Sequence, residues 1–215
     1  MKREIYFIML LLIAIVSCKK TDTEPTIIYQ DDLSVDKKTW TVDSTRVHVR
    51  KFYQGHYLIS EDSIGRFEYS LAPCETINYS YSMQVEGSIN LDNINLLGNI
   101  GLIFNYIDGS NYSVLEIFNN GTYRIFKRNN GVTSTIIPTT ICAAIHIGSG
   151  VYNTIKIVQN NTSLELQLNN ILVGRFSIPL PNAYIKVGIT AGTGGTNGQF
   201  TPVTGLFNNF ILIRI

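Results

Sequence analysis

The chain is short of charge. Charged side chains make up 15% of its 215 residues, and no segment after the first 17 shows a helical period for more than about two turns. Both shortages argue against a helical cytoplasmic enzyme and for a β-rich fold. There are three histidines, His48, His56 and His146, with no ligand-type spacing between them. No Ser or Cys sits in a nucleophile-elbow context, so neither zinc chemistry nor a serine or cysteine hydrolase is indicated. A basic surplus is also missing. With Lys2, Arg3 and Glu4 set aside, 15 basic and 15 acidic residues remain from Cys18 onward, and nothing in that balance favours nucleic acid as a partner. The glycine-rich run 192–198, GTGGTNG, has no helix after it to direct a dipole at a phosphate. It reads as a loop between strands rather than a nucleotide cradle.

What is present begins at the N-terminus. In MKREIYFIMLLLIAIVS, Lys2 and Arg3 precede an apolar run from Ile5 to Val16 that is too short for a comfortable membrane span and reads as an export signal. The run closes on Ile15-Val16-Ser17-Cys18, which resembles the lipobox of bacterial lipoproteins. That resemblance implies cleavage before Cys18 and lipidation of its thiol. Three parts follow: a lipoprotein signal peptide at 1–17, a polar tether at 18–26 and one domain at 27–215. The implied address is the bacterial cell envelope, with attachment through acyl chains alone. Cys74 and Cys142 remain. In an exported protein they are either a disulfide, worth roughly 4 kcal/mol by loop closure, or two separately buried thiols.

Strand signals fill the rest. Runs rich in β-branched and aromatic residues, bounded by Gly, Asn, Asp or Pro, occur at 47–50, 57–60, 66–71, 77–88, 101–106, 112–118, 122–128, 154–159, 163–168, 172–178, 184–190 and 206–215. In 163–170, SLELQLNN, Leu164, Leu166 and Leu168 alternate with Glu165 and Gln167, and Asn169-Asn170 supplies a hairpin turn. Ile185, Val187 and Ile189 alternate in the same way. The segment 210–213 is apolar in both phases, as for a strand covered on both sides. About a dozen strands without helices predict an all-β fold, a two-sheet antiparallel β-sandwich of jelly-roll type.

The order of features strengthens this reading. DDLSVDKKTW (31–40), FYQGHYLIS (52–60), GLIFNYIDGSNYSVLEIFNNGTYRIFKRNNG (101–131), YNTIKIVQNNTSLELQLNNILVGRF (152–176), AYIKVGITAG (183–192) and FNNFIL (207–212) resemble the concanavalin A-like lectin/glucanase superfamily. They are most similar to bacterial jelly-roll domains grouped near the 3-keto-disaccharide hydrolases and laminin-G-like modules. The superfamily includes lectins, glycosidases and adhesion modules, so the resemblance implies the fold more firmly than the chemistry. It also raises calcium, for which Asp31, Asp32 and Asp108 are carboxylates in loop context. Asn208-Asn209, standing where related sequences commonly have Asp-Asn, lowers the charge available, and neither a metal site nor a cofactor is expected.

The aromatics of 101–131 have two possible employments, cross-strand packing and a platform for sugar rings. Leu102, Phe104 and Tyr106 are expected on one face, Ile103 and Asn105 on the other, and Tyr123 and Ile125 opposite Leu115 and Ile117. Gln84, Glu86, Asn105, Glu116 and Arg124 are the candidate ligand-binding residues, since amides and carboxylates meet hydroxyls while rings stack on apolar sugar faces. The expected function is a non-catalytic carbohydrate-binding module. One alternative is a glycoside hydrolase with Glu86 and Glu116 as acid and base, which requires the two carboxyls to converge across the scissile bond. The other is a structural or adhesion module that meets an envelope protein.

Overall fold

The computed structural model describes residues 25–92, 96–194 and 202–215. The signal segment 1–17, Cys18, most of the tether and most of the glycine-rich run lie outside the described residues. Fifteen strands follow one another: β1 Thr26–Asp31, β2 Asp43–Ser44, β3 His48–Tyr53, β4 His56–Glu61, β5 Phe67–Leu71, β6 Tyr81–Leu91, β7 Gly98–Asp108 and β8 Asn111–Phe118. The remainder are β9 Thr122–Asn129, β10 Val132–Ile141, β11 Tyr152–Gln159, β12 Leu164–Leu168, β13 Ile171–Phe176, β14 Lys186–Thr193 and β15 Val203–Arg214. Among the described residues there is no helix.

The strands form two antiparallel sheets. One has nine strands in the order β13-β12-β11-β6-β15-β4-β3-β2, with β1 added beside β15; the other has six in the order β10-β9-β8-β7-β14-β5. Two-residue periodicity explains the pairing of faces. In β12 the three leucines are fully buried and Glu165 and Gln167 are partly exposed, so the expected alternation holds. Its turn holds too: Asn169 and Asn170 have φ of 51° and 65°, the left-handed pair that a two-residue hairpin with matching twist requires. Gln54-Gly55 and Asn130-Gly131 repeat the device.

The inward faces meet in one core. Tyr57, Tyr81, Phe104, Phe207 and Phe210 are its largest fully buried side chains. At one end Trp40 packs against Phe210 and Tyr57 with ring centroids 5.3 and 5.5 Å apart, and its indole N–H donates to Asp31 Oδ2 at 3.2 Å. Burial pushes the Tyr57 hydroxyl up to about 12, so it stays protonated and donates to the Thr41 carbonyl, while Ser70 Oγ lies 2.9 Å from it.

Three strands escaped the pattern. β2 has two residues, and β1 lies, apart from Thr26, at the start of the expected domain, where no strand was expected. β10 is exposed along most of its length and carries Pro138, which lacks an N–H and is tolerated because β10 is an edge strand paired only with β9. The last strand also differs from expectation. β15 is central, but Ile211 and Ile213 are only partly buried; one of its faces looks into the core and the other is not covered. β15 pairs with β4 through its first half and with β1 through its second, switching near Asn209, whose φ is 52°.

Cys74 and Cys142 are both free and half-buried, each packed against the edge of the core. The disulfide is not formed; the two thiols are separate, and burial raises that of Cys74.

Candidate functional site

The five candidate ligand-binding residues are divided among three places. Met83 and Val85 of β6 face the core, so the alternate residues Gln84 and Glu86 point out of the nine-stranded sheet. There Glu86 accepts from Asn209 Nδ2 at 2.8 Å. Leu115, Ile117 and Ile125 face the core from the other side, so Glu116 and Arg124, a cross-strand pair, lie on the outer surface of the six-stranded sheet. Glu86 and Glu116 therefore stand on opposite outsides of the sandwich. They cannot face each other across a glycosidic bond, and the expectation that they might share one surface is corrected.

Asn105 is the third case. Its φ is 51° and the ladder of β7 shifts register between Phe104 and Asp108, a bulge that reverses the alternation of side chains. Asn105 is buried between the sheets, accepting from the Tyr81 hydroxyl at 3.2 Å. Tyr106 consequently leaves the Leu102–Phe104 face and joins Ile103 on the outside. The pairing of Leu115 with Ile125 and of Ile117 with Tyr123 is as expected.

The outer surface of the six-stranded sheet has an uncommon shape. Phe67 on β5 and Phe126 on β9 are separated by three strands, roughly 19 Å in a flat sheet, yet their ring centroids are 5.9 Å apart. The sheet curls toward this face. Glycines make the curl possible: a Cβ on Gly101 would lie 1.9 Å from the Leu115 carbonyl oxygen and one on Gly188 2.1 Å from that of Ser70. At these two positions the paired main chain comes too close for any side chain. Arg50 fixes the margin. Its guanidinium donates to Asp43 Oδ1 at 2.7 Å, Glu68 Oε1 at 3.1 Å and the Tyr69 carbonyl at 2.6 Å, so Glu68 is held inward and Phe67 and Tyr69 are directed out.

The curled face holds a second, smaller cluster. Ile103, Val114 and Phe126 are buried in it, with Phe67, Tyr69, Leu71, Tyr106 and Tyr112 half-buried around them. Tyr106 and Tyr112 stack with rings 17° from parallel, and the Tyr69 and Tyr106 hydroxyls are 3.4 Å apart. Burial raises the Tyr69 hydroxyl well above the usual range, keeping it neutral. Over these rings opens a groove of about 540 Å³ whose walls include Arg66, Tyr112, Arg124, Arg128 and Thr135. Tyr112 and Arg128 also line a neighbouring hollow of about 370 Å³ at the end of the sandwich.

Electrostatics orient one wall of the groove. Arg124 donates through Nε to Glu116 and lies 5.4 Å from the ring centres of both Phe118 and Phe126. Glu116 is 1% exposed; burial pushes its carboxyl above the usual range, against the opposing pull of Arg124. The acid is thus a support for the guanidinium rather than a group a ligand can reach. Arg66, Phe67, Tyr69, Tyr112 and Arg128 were absent from the candidates. For Phe67 and Tyr69 the signal was the Phe-x-Tyr-x-Leu alternation of 67–71, which marks a strand face without saying which way it turns.

The carboxylates weighed for calcium are engaged elsewhere. Asp31 accepts from Lys37 Nζ at 2.7 Å, the Leu33 amide at 3.1 Å and Tyr29, Asp32 from the same Lys37 at 3.3 Å, and Asp108 caps the β7–β8 turn through Ser110 N and Asn111. Among the described residues no group of three or more His, Cys, Asp or Glu side chains is placed to hold a metal ion.

No protein-family model matches the chain, and no curated protein sequence matches it. Its fold does match solved structures. One is a carbohydrate-binding module of family 66 from Bacillus subtilis, with 17% identity, a TM-score of 0.56 and coverage of 81% of this chain and 94% of that one. Another is the carbohydrate recognition domain of Emp47p, at 15% identity and TM-score 0.64, covering 88% and 97%. A third is a Bacillus subtilis protein of unknown function with a galectin-like fold, at 12% identity and TM-score 0.64, covering 88% and 96%. The chain therefore has the fold of a jelly-roll β-sandwich, similar to that of these domains. At these identities the likeness is one of fold.

Proposed function

We propose that the protein binds carbohydrate in the groove over the curled six-stranded sheet. The observation that carries the reading is the pairing of half-buried tyrosine and phenylalanine rings with Arg124, which a buried carboxylate holds at the groove wall. Ring faces supply apolar contact for the C–H faces of a sugar, and the guanidinium offers directed donors to its oxygens. The sandwiches of similar fold that are named for carbohydrate recognition support the reading. Within it, Arg124 keeps its role as a ligand contact, Glu116 positions Arg124, and Gln84, Glu86 and Asn105 leave the site. A hydrolase built on Glu86 and Glu116 finds no support in the geometry.

A glycan-array screen with the full chain, followed by calorimetry on the best ligand, tests this. Arg124→Gln and Tyr112→Ala are each expected to weaken binding about tenfold or more, with near-ultraviolet dichroism around Trp40 retained. Silence across the array, or binding that survives both changes, would end the proposal. The further placement of the domain in a bacterial envelope by a lipid on Cys18 rests on residues 1–18 and the lipobox resemblance. Incorporation of labelled fatty acid, lost in Cys18→Ala, is the corresponding test.

A further inference from the structure

The groove has more positive charge than its structural role uses. Three guanidinium groups, Arg66, Arg124 and Arg128, line it, while the nearby carboxylate, Glu116, is buried and committed to Arg124. Arg66 is exposed, and its side chain makes no hydrogen bond or ion pair among the described residues. Arg128 is only partly exposed, and its Nε is buried with no acceptor. No acceptor among the described residues therefore takes up the charge of Arg128, which stands where the groove and its neighbouring hollow meet. The rest of the chain does not compensate through a general positive field, because from Cys18 onward acidic and basic residues balance.

We infer that the groove selects an acidic sugar, a ring bearing a carboxylate or a sulfate ester, with Arg128 and Arg66 receiving the anionic group while the sugar ring lies against Tyr112. This rests on the carbohydrate-binding reading and narrows it. A guanidinium matches an oxyanion with two parallel N–H···O bonds, which a neutral hydroxyl does not offer. Tyr112 pairs across the strands with Arg128, so a ring stacked on the tyrosine brings its substituents within reach of that guanidinium.

The test compares three probes on the full chain by calorimetry at fixed ionic strength: a short oligouronate, the same oligosaccharide as its uncharged methyl ester, and a sulfated oligosaccharide. At least one anionic probe is expected to bind about tenfold or more tightly than the ester. Arg128→Gln and Arg66→Gln should each remove most of that preference, whereas Lys156→Gln on the nine-stranded sheet should leave it. Arg66 is exposed, so its variant keeps the test meaningful if Arg128→Gln fails to fold. The oligouronate and sulfated arms tell the two anions apart. Equal affinity for acid and ester overturns the inference while leaving carbohydrate binding standing. Binding that inorganic sulfate abolishes at equimolar concentration also overturns it, since the groove would then be a simple anion site. No binding by any probe or any array glycan removes the carbohydrate reading itself.

Discussion

Gly101→Ala tests the curl on which the groove depends. The added methyl would begin 1.9 Å from the Leu115 carbonyl oxygen, 2.9 Å from its carbon and 3.1 Å from Glu116 Cα. All three are main-chain atoms of the paired strand, so no rotamer change relieves the contact. An ordinary carbon–oxygen approach is longer by about 1.3 Å or more, and β7 and β8 must separate by a comparable distance where Gly101 faces Glu116. Overpacking a well-filled site costs roughly 1–3 kcal/mol, and weakening the ladder there adds about 1 kcal/mol per hydrogen bond. A loss of about 3 kcal/mol or more is expected, a large part of the roughly 5–15 kcal/mol available to a domain. At about 2–4 °C per kcal/mol for a chain of this size, the midpoint should fall by about 6–12 °C. Thermal and urea unfolding followed by the fluorescence of Trp40, the single tryptophan, gives the measurement. Gly109→Ala is the control, because its Cβ would meet nothing within 4 Å; it should change stability by less than about 0.5 kcal/mol. A Gly101→Ala protein within about 1 kcal/mol of the parent would show that the curl does not depend on this glycine.

Three further outcomes follow from local contacts. Asn105→Ala leaves the buried Tyr81 hydroxyl without its acceptor and should cost about 1–3 kcal/mol; adding Tyr81→Phe should restore part of the loss, and strict additivity in that double-mutant cycle would deny the coupling. Burial raises the Asp31 carboxyl, but the hydrogen bonds from Lys37, the Leu33 amide and Tyr29 outweigh it and hold the group below the usual carboxylate range. Its contribution is therefore fully present above that range and is lost as pH falls toward and through the lower folded value. Lys37→Met should flatten this acid limb of a stability–pH curve, and an unchanged slope would count against the assignment. Finally, intact mass of the denatured chain should not change on reduction in any way that a Cys74–Cys142 bridge would require, and both thiols should react with an alkylating reagent after unfolding but Cys74 only slowly before it.

Much of the fold was legible because a strand advertises its period locally. Leu164, Leu166 and Leu168 alternate with polar neighbours, and the Asn169-Asn170 turn names its own geometry, so the strand, its buried face and its hairpin need no knowledge of the rest of the chain. β10 was not legible, since an edge strand with Pro138 buries little and has no alternation to show. Tyr106 was assigned to the wrong face because a single left-handed residue, Asn105, reverses the count, and one residue of bulge changes every side beyond it.

The candidate site divides along the same line. Residue types and periodicity determined that Glu116 and Arg124 face away from the core, and that rings from 101–131 mostly pack across strands. Sequence alone could not determine that Glu86 faces away on the opposite sheet, or that β5, whose partner β14 follows it by more than a hundred residues, would bring Phe67 over Phe126. Those relations depend on strand order and on sheet curvature. Both are set by contacts between distant segments and by how closely main chains approach at glycines, quantities to which no local stretch of residues has access.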